Sequence, residues 1–324
     1  MTPGLRADAV RVVRRGLAAA ATAVLLGCVA SAQAHAAGSD PVAHLESTVR
    51  IPPIYNQGIA RAADGWVVSG QFALGRLEPD LTGATLAVPN AIPAVWAARG
   101  YNHVGDIDIE GPTLYAPIEQ PNYNLGHQLM AEYDAGSLRF LAAREVPQHE
   151  NSFVAVDRDS GIAYTMDHFD GDALLRYDVR AGWEPIKPLR LSRLLHRVQG
   201  ASVGGGAIWL STDDGHNGIY RVDSRTGAVT DVGSAPPIAG EGEGIDAAPD
   251  GSSLRVLVTA PDLRSVNINS FDVSRPEPAS TKSSSSSSPS DWPPALVYFA
   301  IFLFLVAFGA LFTIYRRARR TLRR

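Results

Sequence analysis

GEGEGIDAAPDG, residues 240–251, sets Glu241, Glu243, Asp246 and Asp250 among glycines. A phosphate-binding loop would need a strand before those glycines and a helix after them, with G-x-G-x-x-G or G-x-x-x-x-G-K spacing. Here a strand-like run follows, and the stretch is one copy of something that recurs. Small residues step into an apolar run as QGIA at Gly58, VGDI at Gly105, NSFV at Ser152, QGAS at Gly200 and EGID at Gly244, at intervals of 47, 47, 48 and 44 residues. A second apolar run follows each step: WVVSG (Trp66), LYAPI (Tyr115), IAYTM (Tyr164), IWLST (Trp209) and LRVLV (Val256). A third run ends in aspartate, in AEYDAG, LRYDVR, YRVDSRTG and NSFDVSRP, closed by Asp134, Asp178, Asp223 and Asp272. GRLEPDLTG is the looser first copy.

Short runs rich in Val, Ile, Tyr and Trp, punctuated by Gly, Asp and Asn, read as strands joined by tight turns. A period in the mid-forties with three or four strands per unit marks a β-propeller blade. The fold expected is therefore all-β, a five-bladed β-propeller over residues 42–276. Six blades are the alternative, because Thr82 to Ala98 is poorly accounted for. The fifth unit lacks a fourth strand, and VAHLESTVRIPP before the first unit is a strand with nothing local to pair with. Lending that strand to the last blade would close the ring and remove an open sheet edge.

In a propeller the first strand of each blade lines the central channel, so the residues just before it converge. Those are Gln57, His103, Asn151, Gln199 and Glu243, with Asn56, Glu150 and Glu241 nearby. All five can hydrogen-bond, which suits either a ligand site or a water-filled axis. The blade rhythm resembles that of the secreted bacterial propellers grouped with gluconolactonase-like and strictosidine-synthase-like proteins. That resemblance implies a metal at the channel mouth on Glu, Asn and Asp side chains, and Glu243, Asn151 and Asp106 stand at comparable strand starts. It also implies six blades, where five are counted here. Calcium is the cofactor such oxygen ligands suit, and His103 would be the proton carrier if the site hydrolyses a lactone.

Other motifs have plainer readings. DIDIEGP, from Asp106, begins like a calcium loop but has Pro117 where a bidentate Glu is required. Alternation instead puts Asp106 and Asp108 on one face of a strand and Ile107 and Ile109 on the other, leaving inter-blade hydrogen bonding and an axial cation as the two roles for Asp106. GASVG at Gly200 matches a nucleophile elbow but opens a strand, not a strand-to-helix turn. DHFDGDA, with His168, Asp170 and Asp172, reads as a solvated turn between the second and third strands of blade three. In PLRLSRLLHRVQ, Leu191, Leu194, Leu195 and Val198 fall at helical spacing, so a short helix between blades three and four is expected.

The ends carry targeting signals. Basic residues, the apolar run GLAAAATAVLLG and small residues up to Ala36 predict a signal peptide over 1–36, with cleavage near Ala34 or Ala36 or, alternatively, a lipobox at Cys28. Residues 277–294 are a Ser/Pro-rich spacer, and the uncharged ALVYFAIFLFLVAFGALFTIY at 295–315 is long enough to cross a bilayer. The arginines of 316–324 would lie in the cytoplasm, placing a monomeric body outside a bacterial cell on a single-pass anchor. Without those terminal segments the chain carries a charge of about −13, which argues against nucleic-acid partners. Cys28 is the sole cysteine, so no disulfide supports the body. The function expected is an extracellular ligand- or protein-binding module, the alternative a calcium-dependent lactonase-type hydrolase.

Overall fold

The computed structural model describes residues 40–274 other than 169 and 263. The expected signal peptide, the spacer, the apolar run 295–315 and the basic tail lie outside the described residues. Among those described, five antiparallel sheets follow one another along the chain.

Blade one is β2 (Gly58–Ala62), β3 (Gly65–Ser69), β4 (Leu74–Leu77) and β5 (Ala84–Val88). Blade two begins with a broken first strand, β6 (His103–Val104) and β7 (Asp108–Glu110), and continues through β8 (Thr113–Glu119), β9 (Gln128–Asp134) and β10 (Phe140–Val146). Blade three is β11 (Ala155–Asp157), β12 (Ile162–Thr165), β13 (Gly171–Asp178) and β14 (Glu184–Leu195), and blade four is β15 (Val198–Gly204), β16 (Ala207–Thr212), β17 (Gly218–Asp223) and β18 (Val229–Ser234). Blade five joins β19 (Glu241–Ala247), β20 (Ser253–Thr259) and β21 (Val266–Ser274) to β1 (Val42–Ile51). β1 pairs antiparallel with β21 from Val42↔Ser274 to Ile51↔Val266, so the earliest described strand covers the outer edge of the last blade.

The core is divided among the seams between blades. One cluster lies between blades one and two around Val67, Leu74, Leu114 and Leu129, and another between two and three around Met130 and Val154. The remaining seams are filled around Leu174 and Ile208, around Trp209 and Val256, and around Val68 and Ile268. The last of these joins blade five to blade one, so the ring is closed by packing as well as by β1.

Aspartates ending the third strands have a local cause. Asp134, Asp178 and Asp223 accept backbone N–H groups of Ser137, Ala181 and Thr226, which fixes the turn into the fourth strand.

The five-blade expectation holds over the six-blade alternative, and one other expectation is corrected. Thr82 to Ala98 is no sixth blade: it supplies β5 and a one-turn helix, α1 (Ala94–Ala97), that leads into blade two. PLRLSRLLHRVQ is not helical, since most of it lies in β14, paired with β13. Leu189, Leu191 and Leu195 are buried while Arg190, Ser192 and Leu194 are exposed, an alternation interrupted by the exposed Arg193 and masked in the sequence by the helical spacing of Leu191, Leu194, Leu195 and Val198.

Candidate functional site: the channel and its mouth

Asp106 occupies the centre of the ring. Its Oδ1 accepts the backbone N–H of Ile59 from blade one at 3.1 Å and of Ile107 at 3.0 Å. Its Oδ2 accepts N–H groups of Ala201 from blade four at 3.1 Å and Ile245 from blade five at 3.2 Å. Its own N–H reaches Ser152 O at 2.8 Å and its carbonyl accepts from Val154 at 3.1 Å, which ties in blade three. One residue of blade two thus holds the other four.

That arrangement explains the small-residue step found in the sequence. The donors Ile59, Ala201 and Ile245 each follow a glycine, and a Cβ on Gly200 or Gly244 would stand 2.7 Å or 2.4 Å from an Asp106 carboxylate oxygen. Only a residue without a side chain lets the strand approach the axis closely enough to donate. Burial pushes the Asp106 carboxyl above the usual range, while the N–H groups of Ile59, Ile245 and Ala201 favour its ionised form.

Side-chain acceptors brace further seams. Asp108 Oδ2 takes the N–H of Val156 at 2.7 Å, Ser202 Oγ that of Ala247 at 3.0 Å, and Asp246 Oδ1 that of Arg61 at 2.9 Å. Burial raises the Asp108 carboxyl to about 7, against the pull of Val156, and the Asp246 carboxyl to about 6, against Arg61.

Above this plug, on the end where each first strand starts, lies a polar mouth. His103 Nε2 is 2.7 Å from Gln57 Oε1, and its Nδ1 is 3.1 Å from Glu119 Oε2. Glu119, nearly fully buried, accepts the N–H of Asn151 and a hydrogen bond from Tyr123. Asn151 spends its amide locally: Oδ1 accepts from Gln148 at 2.6 Å and Nδ2 donates to Leu129 O at 2.9 Å. Burial raises the Tyr123 hydroxyl to about 12, and Glu119 and Glu150 both lie close enough to it to add to that shift.

Glu243 stands across the mouth. It is 6% exposed, and no described residue donates a hydrogen bond to its carboxylate. Burial pushes its carboxyl well above the usual range, and Glu241, Asp213 and Asp106 push in the same direction while Arg197 opposes them. Arg197 is itself paired with Asp213. Glu241 is exposed at the rim, and Gln199, half-buried, sits between Arg197 and the Gly200 that packs against the Glu243 carbonyl.

The structure therefore brings Gln57, His103 and Asn151 together through Glu119, and Glu243 together with Glu241. Of the three oxygen ligands considered for a cation, Asp106 and Asn151 have their acceptors engaged by protein donors, whereas Glu243 does not. The donor set fits a hard cation in part, at the Glu241 and Glu243 side. Sequence reasoning missed Glu119, Asp213 and Arg197. Glu119 had a readable signal: the second strands end in Ser69, Thr165, Thr212 and Thr259, and blade two alone places a glutamate there.

No protein-family model matches the chain, and no curated protein matches it in sequence. Solved structures resemble it distantly, at low identity. One titled as a crystal structure of the mitotic checkpoint complex is 11% identical with a TM-score of 0.40, over 70% of this chain and 91% of that one. A luciferin-regenerating enzyme is 14% identical with a TM-score of 0.43, over 68% and 77% of the two chains.

Proposed function

We propose that the chain is a membrane-anchored extracellular β-propeller whose mouth face binds a protein or small ligand. The supporting observation is where apolar side chains remain exposed. Of the nine large exposed hydrophobics among the described residues, Ile54, Phe72, Val95, Leu125, Leu194 and Ile238 all lie at the mouth end of the blades, in connecting segments or, for Leu194, at the end of a fourth strand. Val42 and Leu45 in β1 and Leu141 in β10 are the others. Apolar loops around an acidic, histidine-bearing centre match the make-up of a docking surface, where contact area surrounds a few orienting polar groups.

The experiment is photo-crosslinking in intact cells. A crosslinking residue at Phe72 or Ile238 should capture one discrete adduct that the same group at Leu141 does not. Equal labelling from both ends, or none from the mouth, contradicts the assignment.

A second reading, a metal-dependent hydrolase of lactonase type, draws on the His103–Glu119 pair and on Glu243, whose carboxylate takes no donor among the described residues. A cation there would polarise a substrate carbonyl. His103, fixed by Glu119 on one ring nitrogen and Gln57 on the other, would carry the proton.

A further inference from the structure

Away from the channel, blade three presents two histidines and an aspartate on the same end of the molecule. His149 precedes the first strand of that blade, and Asp167 and His168 follow the second. His149 Nδ1 is 3.0 Å from Asp167 Oδ2, and His168 Nε2 is 3.5 Å from the same oxygen. One ligand atom from each of the three residues lies within 4.8 Å of the other two.

We propose that His149, Asp167 and His168 form a site for a divalent transition metal, zinc foremost. The geometry is the first argument. Zinc bonds of about 2.0–2.1 Å at tetrahedral angles put adjacent ligand atoms about 3.3 Å apart. The separations of 3.0 and 3.5 Å bracket that edge. Small side-chain rotations would close the third.

Preorganisation is the second. Asp167 Oδ1 accepts the backbone N–H of His149 at 2.7 Å, and Asp167 O accepts that of Glu150 at 3.1 Å. The His149 carbonyl is itself bonded by Gln128. The two loops are thereby locked together before any ion arrives, and ligands held in place by surrounding hydrogen bonds bind metals more tightly. The imidazoles of His149 and His168 stack with centroids 5.1 Å apart and planes 24° from parallel, so the exposed His168 ring would have to turn out of the stack for both lone pairs to meet one ion.

Donor chemistry selects the ion. Two imidazole nitrogens and one carboxylate favour zinc, copper or nickel over calcium or magnesium, which take oxygen ligands. Three protein ligands leave a fourth position open, as in zinc sites that bind water or an incoming group. Asp167 and His168 also line a groove of about 430 Å³ together with Asp170, Asp172, Lys187 and Arg190. An anionic group on a partner or small molecule could reach the open position from there.

The test is zinc titration of the purified full chain by calorimetry, with cobalt absorption as a second readout. Wild type should bind one zinc at this site, and cobalt should give the intense visible bands of tetrahedral coordination. His149→Gln and His168→Gln should each weaken zinc binding at least about tenfold and abolish those bands. Glu243→Gln should leave both unchanged, which separates this site from the channel mouth. Zinc binding that persists in both histidine variants, or a wild-type chain that binds none, overturns the proposal.

Discussion

Asp106 and Glu243 are two buried carboxylates a short way apart along one axis, and they are treated in opposite ways. Asp106 is surrounded by donors from several blades, all of them backbone N–H groups that no side-chain change elsewhere can remove. Glu243 is buried nearly as deeply with no donor among the described residues and with acidic neighbours. A buried acceptor that is fully paired is scaffold. Glu243, reached by solvent at the mouth and set among like charges, is ionised only at a cost, and carboxylates perturbed in this way gather at functional sites.

The largest effect should come from dismantling the scaffold. Asp106→Ala leaves the N–H groups of Ile59, Ala201 and Ile245 without their acceptors at the buried centre of the ring. At about 1–3 kcal/mol for each unsatisfied group, the loss rivals the whole stability of an ordinary domain. The variant should be unfolded or aggregated by circular dichroism and size-exclusion chromatography. A cooperatively folded Asp106→Ala would mean that the hub is dispensable.

Next comes crowding of the same centre. Gly244→Ala would put a methyl 2.4 Å from Asp106 Oδ1 and 2.6 Å from Gly58 Cα, where the backbone cannot yield cheaply. Gly100→Ala is the control for space, since nothing lies within 4 Å of a Cβ there. Its φ of 97° still carries strain, so it should cost about 1 kcal/mol. Denaturant midpoints should fall much further for Gly244→Ala, and equal losses would remove the steric argument.

A smaller effect concerns pH. Asp108 is raised to about 7 and Asp246 to about 6 in the folded chain, above their unfolded values near 4. Between those limits each of these two groups holds more proton in the native state than in the unfolded one, so their contribution to stability is greatest below pH 4 and falls as pH rises. The slope is about 1.4 kcal/mol per pH unit for each group, levelling off above the folded value. Asp108→Asn should flatten the part of the curve between pH 4 and 7. An unchanged slope would show that Asp108 titrates normally.

Much of the scaffold was legible because its causes are local or repeated. Glycine before Ile59, Ala201 and Ile245 recurs since each strand must reach the same carboxylate, and aspartate ends the third strands because it holds the next turn. Strand β1 was legible as an unpaired run that the last blade lacked. Strand β14 was not, because its leucines satisfy a helical period as well as the strand period, and only pairing with β13 decides between them. The mouth was half legible. Gln57, His103, Asn151 and Glu243 follow from the repeat, but Glu119, Asp213 and Arg197 come from strand ends and loops that meet only in three dimensions. The propeller resemblance also placed Asp106 among cation ligands without revealing that backbone donors already occupy its oxygens.

The contrast between the two carboxylates is tested most directly by thermal melting of wild type and Glu243→Gln, each with calcium, zinc or chelator. The substitution preserves shape and removes the charge that burial disfavours, so the metal-free variant should melt at or above wild type. Calcium should raise the wild-type midpoint by binding only the folded form, chelator should reverse the shift, and Glu243→Gln should abolish it. A Glu243→Gln variant that melts well below wild type, with calcium leaving the wild-type midpoint unmoved, would make Glu243 scaffold like Asp106 and contradict the account.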